Sequence, residues 1–167
     1  RSDQYFKFIP FSNTYFKDKF TYSKLLCKKE FYQSFSDYKF IQIVQPDCWA
    51  FEDRLNEFMS LDFDYIGAPW MKDGFSGKPK PQLWKVGNGG FSLRKTSSFL
   101  SIIEQIHKSE KGHIPVFQDL GNRLTHRFRN YGFRNNLRHY IKQPPGEDIF
   151  WTHYVPKVFG ENDFRIS

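Results

Sequence analysis

The segment that decides the fold class is Phe40-Ile41-Gln42-Ile43-Val44-Gln45. It is short, rich in β-branched residues and apolar on both faces, which is typical of a central strand in a sheet covered on both sides. Pro46 ends this strand because proline cannot donate to a sheet ladder. Asp47 is therefore predicted to lie just beyond the carboxyl end of a buried strand, where open α/β sheets bind their ligands.

Helix and strand patterns alternate outward from this segment. The predicted helices cover residues 21–36, 51–60, 96–109 and 118–130, and a short one begins at Glu147. The other predicted strands cover 65–68 and 91–94, and a glycine turn over 86–90 precedes the second of them. The alternation predicts one α/β domain over residues 1–167.

Composition narrows the class of protein. Aromatic residues make up 20% of the 167 positions, which argues against a disordered chain. No apolar run approaches the roughly 18 residues that a membrane span requires. The formal net charge of +7 favours an anionic partner: a nucleotide diphosphate, a membrane surface or a nucleic acid. The alternative is a lysine-rich surface with no particular partner.

Asp47 is the first candidate site residue. A carboxylate beyond a strand end can hold a divalent cation that neutralises a diphosphate. Because Gln45 and Pro46 precede it, no second acid lies two residues upstream, and a cation there would rest on one carboxylate plus phosphate oxygens and water. The alternative is an aspartate that caps a helix or a turn.

The run Gly87-Asn88-Gly89-Gly90 is the second candidate. Glycines let the backbone approach a ligand closely, and Asn88 can hydrogen-bond a hydroxyl, so the run suits a sugar or a phosphate. Arg94 is a basic side chain close to it. The run is not a P-loop, and its spacing does not match a dinucleotide fingerprint. The alternative is a tight turn between two elements.

Adjacent acids at the start of the last predicted helix are the third candidate. Glu147 and Asp148 lie where the helix dipole favours the ionised form, and a general base must be ionised to take a proton from an acceptor hydroxyl. His153 could complete a metal site or contact a phosphate. Trp70 offers an aromatic face for stacking on a sugar. The alternatives are ordinary first-turn acids, a surface histidine and a core tryptophan.

Four stretches occur in a fixed order: IQIVQPDCWAF, FDYIGAPW, VGNGGFSLRK and GEDIFW. Together they resemble the bacterial glycosyltransferase-like family described as DUF5672, which is related to GT-A sugar transferases. These motifs lie between Ile41 and Trp151, roughly two thirds of the chain. The order of four separate motifs is far more specific than any one of them.

The resemblance implies a GT-A-like, Rossmann-like mixed sheet flanked by helices, and a nucleotide-sugar-dependent transferase that builds cell-surface polysaccharide or lipopolysaccharide. It implies that Gln45-Pro46-Asp47 stands where many GT-A enzymes carry Asp-x-Asp, so that Asp47 would be the remaining ligand of Mn²⁺ or Mg²⁺, or of the diphosphate. Asn88-Gly89-Gly90 would line the sugar and acceptor site. Asp148 would be the base of an inverting displacement, with Glu147 as the other candidate.

The N-terminal part of the chain departs from the GT-A pattern. A GT-A domain opens with a strand and helix that cradle the nucleoside. Only about forty residues precede the strand at 40–45, and they contain no strong opening strand. We therefore expect a domain that is incomplete at its N-terminus, with a shortened or absent nucleoside-binding half.

The expected partners are a nucleotide-sugar donor and a glycan or lipid-linked acceptor. We expect a cytoplasmic protein with peripheral contact at the inner membrane, and no nucleic acid partner, because the chain carries no DNA- or RNA-binding motif. A non-catalytic carbohydrate-binding module is the alternative. The acids at 47 and 147–148 argue against it, since a lectin does not need them.

Overall fold

A computed structural model describes residues 7–71, 82–114 and 136–167. This part of the chain has a mixed α/β architecture, with helices packed around a small three-stranded sheet. The strands are β1 (Phe40–Val44), β2 (Tyr65–Met71) and β3 (Leu83–Lys95). The α-helices are α1 (Lys19–Leu25), α2 (Lys29–Gln33), α3 (Leu55–Ser60), α4 (Thr96–Lys108), α5 (Leu137–Tyr140), α6 (Glu147–Ile149) and α7 (Val155–Phe159).

The described sheet is antiparallel, in the order β1-β3-β2. Phe40 faces Lys95 across β1 and β3, and Tyr65 faces Arg94 across β2 and β3. β1 and β2 thus run in the same direction but are separated by β3, and they do not form the adjacent parallel pair of a βαβ unit. The described sheet therefore does not support the expected Rossmann-like arrangement, although the broader α/β class is confirmed.

The first strand forms as predicted, but its position in the sheet is not the expected one. Among the described strands, β1 lies at an edge of the sheet, with β3 as its partner. Ile41 and Ile43 pack on the core, whereas Gln42 is exposed and Val44 is 56% exposed. The expectation of a central strand covered on both faces is wrong, because β-branched residues favour a strand without deciding which neighbours it acquires.

The glycine run is part of a strand and not a turn. β3 continues through residues 86–90 to a length of 13 residues, and β2 continues through Pro69 to Met71. The pairing of β2 with β3 shifts register around Gly67 and Ala68. Glycine and proline in a strand often mark such irregular pairing. Because strand boundaries were expected at these residues, the predicted strand over 65–68 ended too early and the one over 91–94 began too late.

The predicted helix over 21–36 is two short helices, α1 and α2. Asp18, not Thr21, is the N-cap of α1: Asp18 Oδ1 accepts from Thr21 N at 2.8 Å, and Thr21 Oγ1 accepts from Asp18 N at 3.1 Å, a capping box. The predicted helix over 51–60 begins only at Leu55. The predicted helix over 118–130 lies outside the described residues.

α4 confirms the clearest helical pattern, although it begins at Thr96 without a side-chain cap. Its apolar face is buried against an aromatic core, with the Phe99 ring centroid 4.4 Å from that of Trp151 and 4.6 Å from that of Tyr32. Arg138 closes the C-terminal end of the helix, since its Nε donates to Ile106 O at 2.8 Å.

The C-terminal helical region is not uniform. A π-helical segment over Phe150–Tyr154 joins α6 to α7. Trp151 in this segment is fully buried, and its Nε1 donates to Leu26 O at 3.2 Å. Within the described ranges, none of the helices combines the length and apolar character needed to cross a bilayer.

Gly87 lies where β3 packs closely on the π-helical segment. Its φ is +122°, and a Cβ there would overlap Thr152 Cγ2. Gly160 also has a positive φ, +91°, but a Cβ there would meet no atom within 4 Å. We expect Gly87→Ala to lower the free energy of unfolding by about 1–3 kcal/mol more than Gly160→Ala, because only Gly87 adds overpacking to backbone strain. Urea denaturation of both variants measures this, and equal losses would contradict it.

Candidate functional site

A cavity of about 270 Å³ opens where β3, α1, the end of β1 and the start of α6 meet. It brings together residues from three of the sequence motifs. The predicted site residues that line it are Gln45, Asn88, Gly89, Gly90, Glu147 and Asp148. The remaining lining residues are Lys19, Phe20, Tyr22, Ser23, Pro145, Gly146 and Ile149.

The glycines of β3 allow the cavity walls to approach one another. A Cβ on Gly89 would overlap Glu147 Oε1, and a Cβ on Gly90 would lie 2.8 Å from Gln45 Oε1. Gly90 O accepts from Gln45 N at 2.8 Å, which ties the chain after β1 to β3. Asn88 Oδ1 accepts from Gly90 N at 3.0 Å. The glycines are thus favoured by close packing, which is one of the reasons for glycine inside a strand.

Asp148 is half-buried at the cavity and is held through its backbone and side chain. Its Oδ1 accepts from Ile149 N at 2.8 Å, and its Oδ2 accepts from Gly89 N at 3.4 Å. Thr152 Oγ1 donates to Asp148 O at 2.7 Å. These contacts hold the carboxylate beside the Gly89 backbone and leave it partly exposed.

Glu147 forms an ion pair with Arg94 behind the cavity. Glu147 Oε1 accepts from Arg94 Nη2 at 2.9 Å, and the exposed fractions of the two side chains are 6% and 0%. Arg94 is itself fixed, since its Nε donates to Ser92 Oγ and its Nη1 to Tyr32 Oη, both at 3.0 Å. The guanidinium carbon lies 5.3 Å from the centroid of the Tyr65 ring, within cation–π range.

The two charges of this pair influence one another strongly. Burial raises the pKa of Glu147, and the neighbouring Arg94 opposes the rise without cancelling it. Burial alone would lower the pKa of Arg94, but the charge and hydrogen bond of Glu147, together with Tyr32 and Tyr65, raise the pKa well above its usual value. Arg94 therefore stays charged. Glu147 differs from a surface carboxylate because it is buried and its pKa is raised.

Arg94, Trp70 and Asp47 do not line the cavity. Arg94 is covered by protein and contacts Glu147 instead. Trp70 lies on β2, opposite Lys85 of β3. Asp47 is exposed beyond β1, and its Oδ1 is 3.8 Å from Cys48 Sγ.

The predicted metal ligands do not fit a cation held by the protein alone. His153 Nδ1 lies 2.6 Å from Lys85 Nζ, an environment that disfavours a nearby cation. Asp47 is a single exposed carboxylate. Over residues 7–71, 82–114 and 136–167, no group of three or more His, Cys, Asp or Glu side chains could hold a metal ion.

Several residues at the candidate site, or in contact with its ion pair, were not predicted from the sequence. Lys19, Tyr22 and Ser23 of α1 line the cavity although they lie 18 to 22 residues before Ile41, where the first motif begins. Tyr32, the partner of Arg94, comes from α2. No local pattern marks these residues, because only the packing of α1 and α2 brings them to β3.

A larger cavity of about 580 Å³ lies on the opposite face of the sheet. Its walls come from the outward face of the sheet, from α3 and from residues 50–54 before it, and they combine apolar residues with the charged Glu52, Asp53 and Arg54. None of the predicted binding or catalytic residues lines it. We take the smaller cavity as the candidate functional site because predicted site residues from three motifs converge on it.

Residues 5–167 match the model of the DUF5672 family, described as a protein of unknown function. The chain therefore belongs to the DUF5672 family, and the resemblance carried by its four motifs is confirmed at that level. No curated protein and no solved structure matches it.

We expect a large loss of stability when one partner of the buried Arg94–Glu147 ion pair is removed. Arg94→Met leaves Glu147 buried without its counter-charge, and we expect it to lower the free energy of unfolding by about 3–5 kcal/mol. The double variant Arg94→Met/Glu147→Met should lose much less than the sum of the two single variants. Urea denaturation of the four proteins measures the coupling.

The matched control is Arg54→Met, which breaks an exposed ion pair with Glu57. Its midpoint should shift far less, since exposed pairs contribute little. Equal shifts for Arg54→Met and Arg94→Met would contradict the prediction.

Proposed function

We propose that this protein is a glycosyltransferase that moves a sugar from a nucleotide-sugar donor to a hydroxyl of a cell-surface glycan, either polysaccharide or lipopolysaccharide. The observation that carries the proposal is the convergence of Asp148, Glu147 and the Asn88-Gly89-Gly90 backbone on one cavity. A general base must lie within hydrogen-bond reach of the hydroxyl that it activates, and the half-buried Asp148 lines the space that such a hydroxyl would enter. The GT-A resemblance of the four motifs supports the same chemistry.

Asp148 is the base in this proposal, and Glu147 is not. Glu147 is almost completely buried and its Oε1 is engaged by Arg94, whereas Asp148 retains partial exposure at the cavity. The acceptor oxygen attacks the anomeric carbon of the donor while Asp148 takes the hydroxyl proton. A new glycosidic C–O bond forms, the bond from the anomeric carbon to the diphosphate oxygen breaks, and the nucleoside diphosphate leaves with the electron pair.

Lys19 is the cation best placed to assist the departing diphosphate. It lines the cavity from α1, and its Nζ lies 5.2 Å from the centroid of the Phe20 ring. Arg94 does not take this role because its guanidinium is buried and paired with Glu147. A positive group near developing negative charge stabilises the transition state.

We propose further that this chain is part of a GT-A-related domain that acts in the cytoplasm, in peripheral contact with the inner membrane. The GT-A relation rests on the motifs, since the described sheet is antiparallel. The positive net charge supports binding of an anionic donor and of an anionic membrane surface. The acceptor would be a glycan or a lipid-linked glycan.

Isothermal titration with UDP, GDP and dTDP, each with and without Mn²⁺, tests donor binding. Binding of one nucleotide would support the transferase and identify the donor class. Binding of none would overturn the donor half of the proposal, and sugar binding without nucleotide binding would favour a non-catalytic carbohydrate-binding protein. The nucleotide that binds then selects the nucleotide sugars for a turnover assay.

Asp148→Asn separates catalysis from binding. The amide keeps the size of the side chain but cannot accept a proton, so we expect turnover to fall about 10²–10⁴-fold while nucleotide affinity changes little. Release of nucleoside diphosphate from the sugar donor measures turnover. Asp37→Asn, at an exposed position away from the cavity, is the control and should retain full activity. An Asp148→Asn protein with undiminished turnover would exclude Asp148 as the base.

A further inference from the structure

Helix α1 contributes three polar side chains to the cavity of about 270 Å³. Lys19, Tyr22 and Ser23 all line it, and their i, i+3, i+4 spacing places them on one face of the helix. We call these three residues the α1 wall. The helix is fixed at both ends, because the Asp18 capping box closes its start and Leu25 at its end is buried in the core. The α1 wall is therefore a preorganised part of the cavity.

The two hydroxyls of the α1 wall are not used by the protein itself. Within the described part of the chain, neither Tyr22 Oη nor Ser23 Oγ has a hydrogen-bond partner. Both residues are half-buried, yet neither oxygen is shielded from solvent. A ligand in the cavity can therefore reach both hydroxyls.

Both hydroxyls are available as hydrogen-bond donors at neutral pH. Burial raises the pKa of Tyr22, and the negative charge of Glu147 adds to the rise against the opposing charge of Arg94. The phenol therefore keeps its proton. A protonated phenol and a serine hydroxyl can each donate one hydrogen bond.

Lys19 gives the α1 wall a positive charge. Among the described residues it forms no ion pair, and its Nζ lies 5.2 Å from the centroid of the Phe20 ring. The acids of the cavity belong to another wall: Glu147 is paired with Arg94, and Asp148 is held against the backbone of β3. The α1 wall thus combines one cation with two neutral donors.

This combination indicates the class of ligand. Ionised phosphate oxygens accept hydrogen bonds and do not donate them, and charge-assisted bonds to them are among the strong ones. A diphosphate matches both the charge and the donors of the α1 wall, whereas a neutral sugar hydroxyl matches only the donors. We infer that the α1 wall binds the diphosphate of the donor, with Lys19, Tyr22 and Ser23 donating to its oxygens.

This inference rests on the proposed function in identifying the anion as a nucleoside diphosphate. As the bond from the anomeric carbon to the diphosphate oxygen breaks, that oxygen leaves with the electron pair. The three donors stabilise its charge without giving up a proton, while Asp148 takes the proton of the acceptor hydroxyl. The base and the leaving group are then held by separate elements, α6 and α1.

The test titrates the full chain with inorganic pyrophosphate and with UDP, GDP and dTDP. Tyr22→Phe removes the hydroxyl and keeps the ring that packs on the core, and we expect it to weaken the bound diphosphates about 2–10-fold. Ser23→Ala should act similarly. Lys19→Gln should weaken them about tenfold or more, because hydrogen bonds to charged groups are stronger.

Tyr38→Phe and Lys17→Gln are the matched controls. Both residues are exposed and lie outside the cavity wall, so their variants should leave the dissociation constants unchanged. Lys17→Gln lowers the net charge as much as Lys19→Gln does. Equal weakening by these two variants would indicate general attraction to a chain of net charge +7, and would overturn the α1 wall as a site.

Two further readouts separate ligand binding from a structural role. Tyr22→Phe should leave the thermal unfolding midpoint of the free protein unchanged, because the hydroxyl has no partner among the described residues. With the nucleotide sugar as substrate, Lys19→Gln should lower kcat/KM by a larger factor than it weakens the nucleoside diphosphate, since negative charge grows in the transition state. Loss of binding that only follows loss of folding would contradict the inference.

Failure of this inference can be told apart from failure of the proposed function. Turnover of a nucleotide sugar with Lys19→Gln and Tyr22→Phe as active as their controls would retain the transferase and overturn the α1 wall. Diphosphate binding that depends on both residues, without turnover of any nucleotide sugar, would retain the α1 wall and overturn the transferase. No binding of pyrophosphate or of any nucleoside diphosphate would overturn both.

Discussion

The guanidinium of Arg94 is completely enclosed, and a buried charge is tolerable only when it is paired and hydrogen-bonded. Besides Ser92 on the same strand, its partners come from distant parts of the chain, Tyr32 of α2 and Glu147 of α6. The pair therefore joins the N-terminal helices, the central strand and the C-terminal helical region around one point. Its position also determines where the acids of the candidate site lie.

The same interaction separates two acids that are adjacent in sequence. Glu147 is drawn inward by Arg94, while Asp148 stays at the cavity beside the Gly89 backbone. One carboxylate is thus rigid and buried, and the other retains contact with the space a ligand would enter. This division arises from the environment and not from residue type, as in other sites where paired carboxylates take different roles.

Much of the local structure was predictable from the residues. The β-branched run at 40–44 forms β1, and the i, i+3, i+4 spacing of Phe99, Ile102 and Ile103 forms the buried face of α4. The predictions that failed depend on neighbours. β1 lies at an edge of the described sheet. The Gly87–Gly90 run became part of β3 because it pairs with β2, and Thr152, Glu147 and Gln45 occupy the space that side chains would need there.

By itself the sequence determined the family, the mixed α/β class and the motifs that supply Gln45, Asn88 and the acids at 147–148. Only the tertiary structure decided that these motifs share one cavity, that Arg94 is buried behind it, and that Lys19 and Tyr22 complete its wall. The physical reason is that hydrophobic periodicity and turn chemistry act over a few residues. Burial of a charge and the pairing of strands are settled by contacts between segments far apart in the chain.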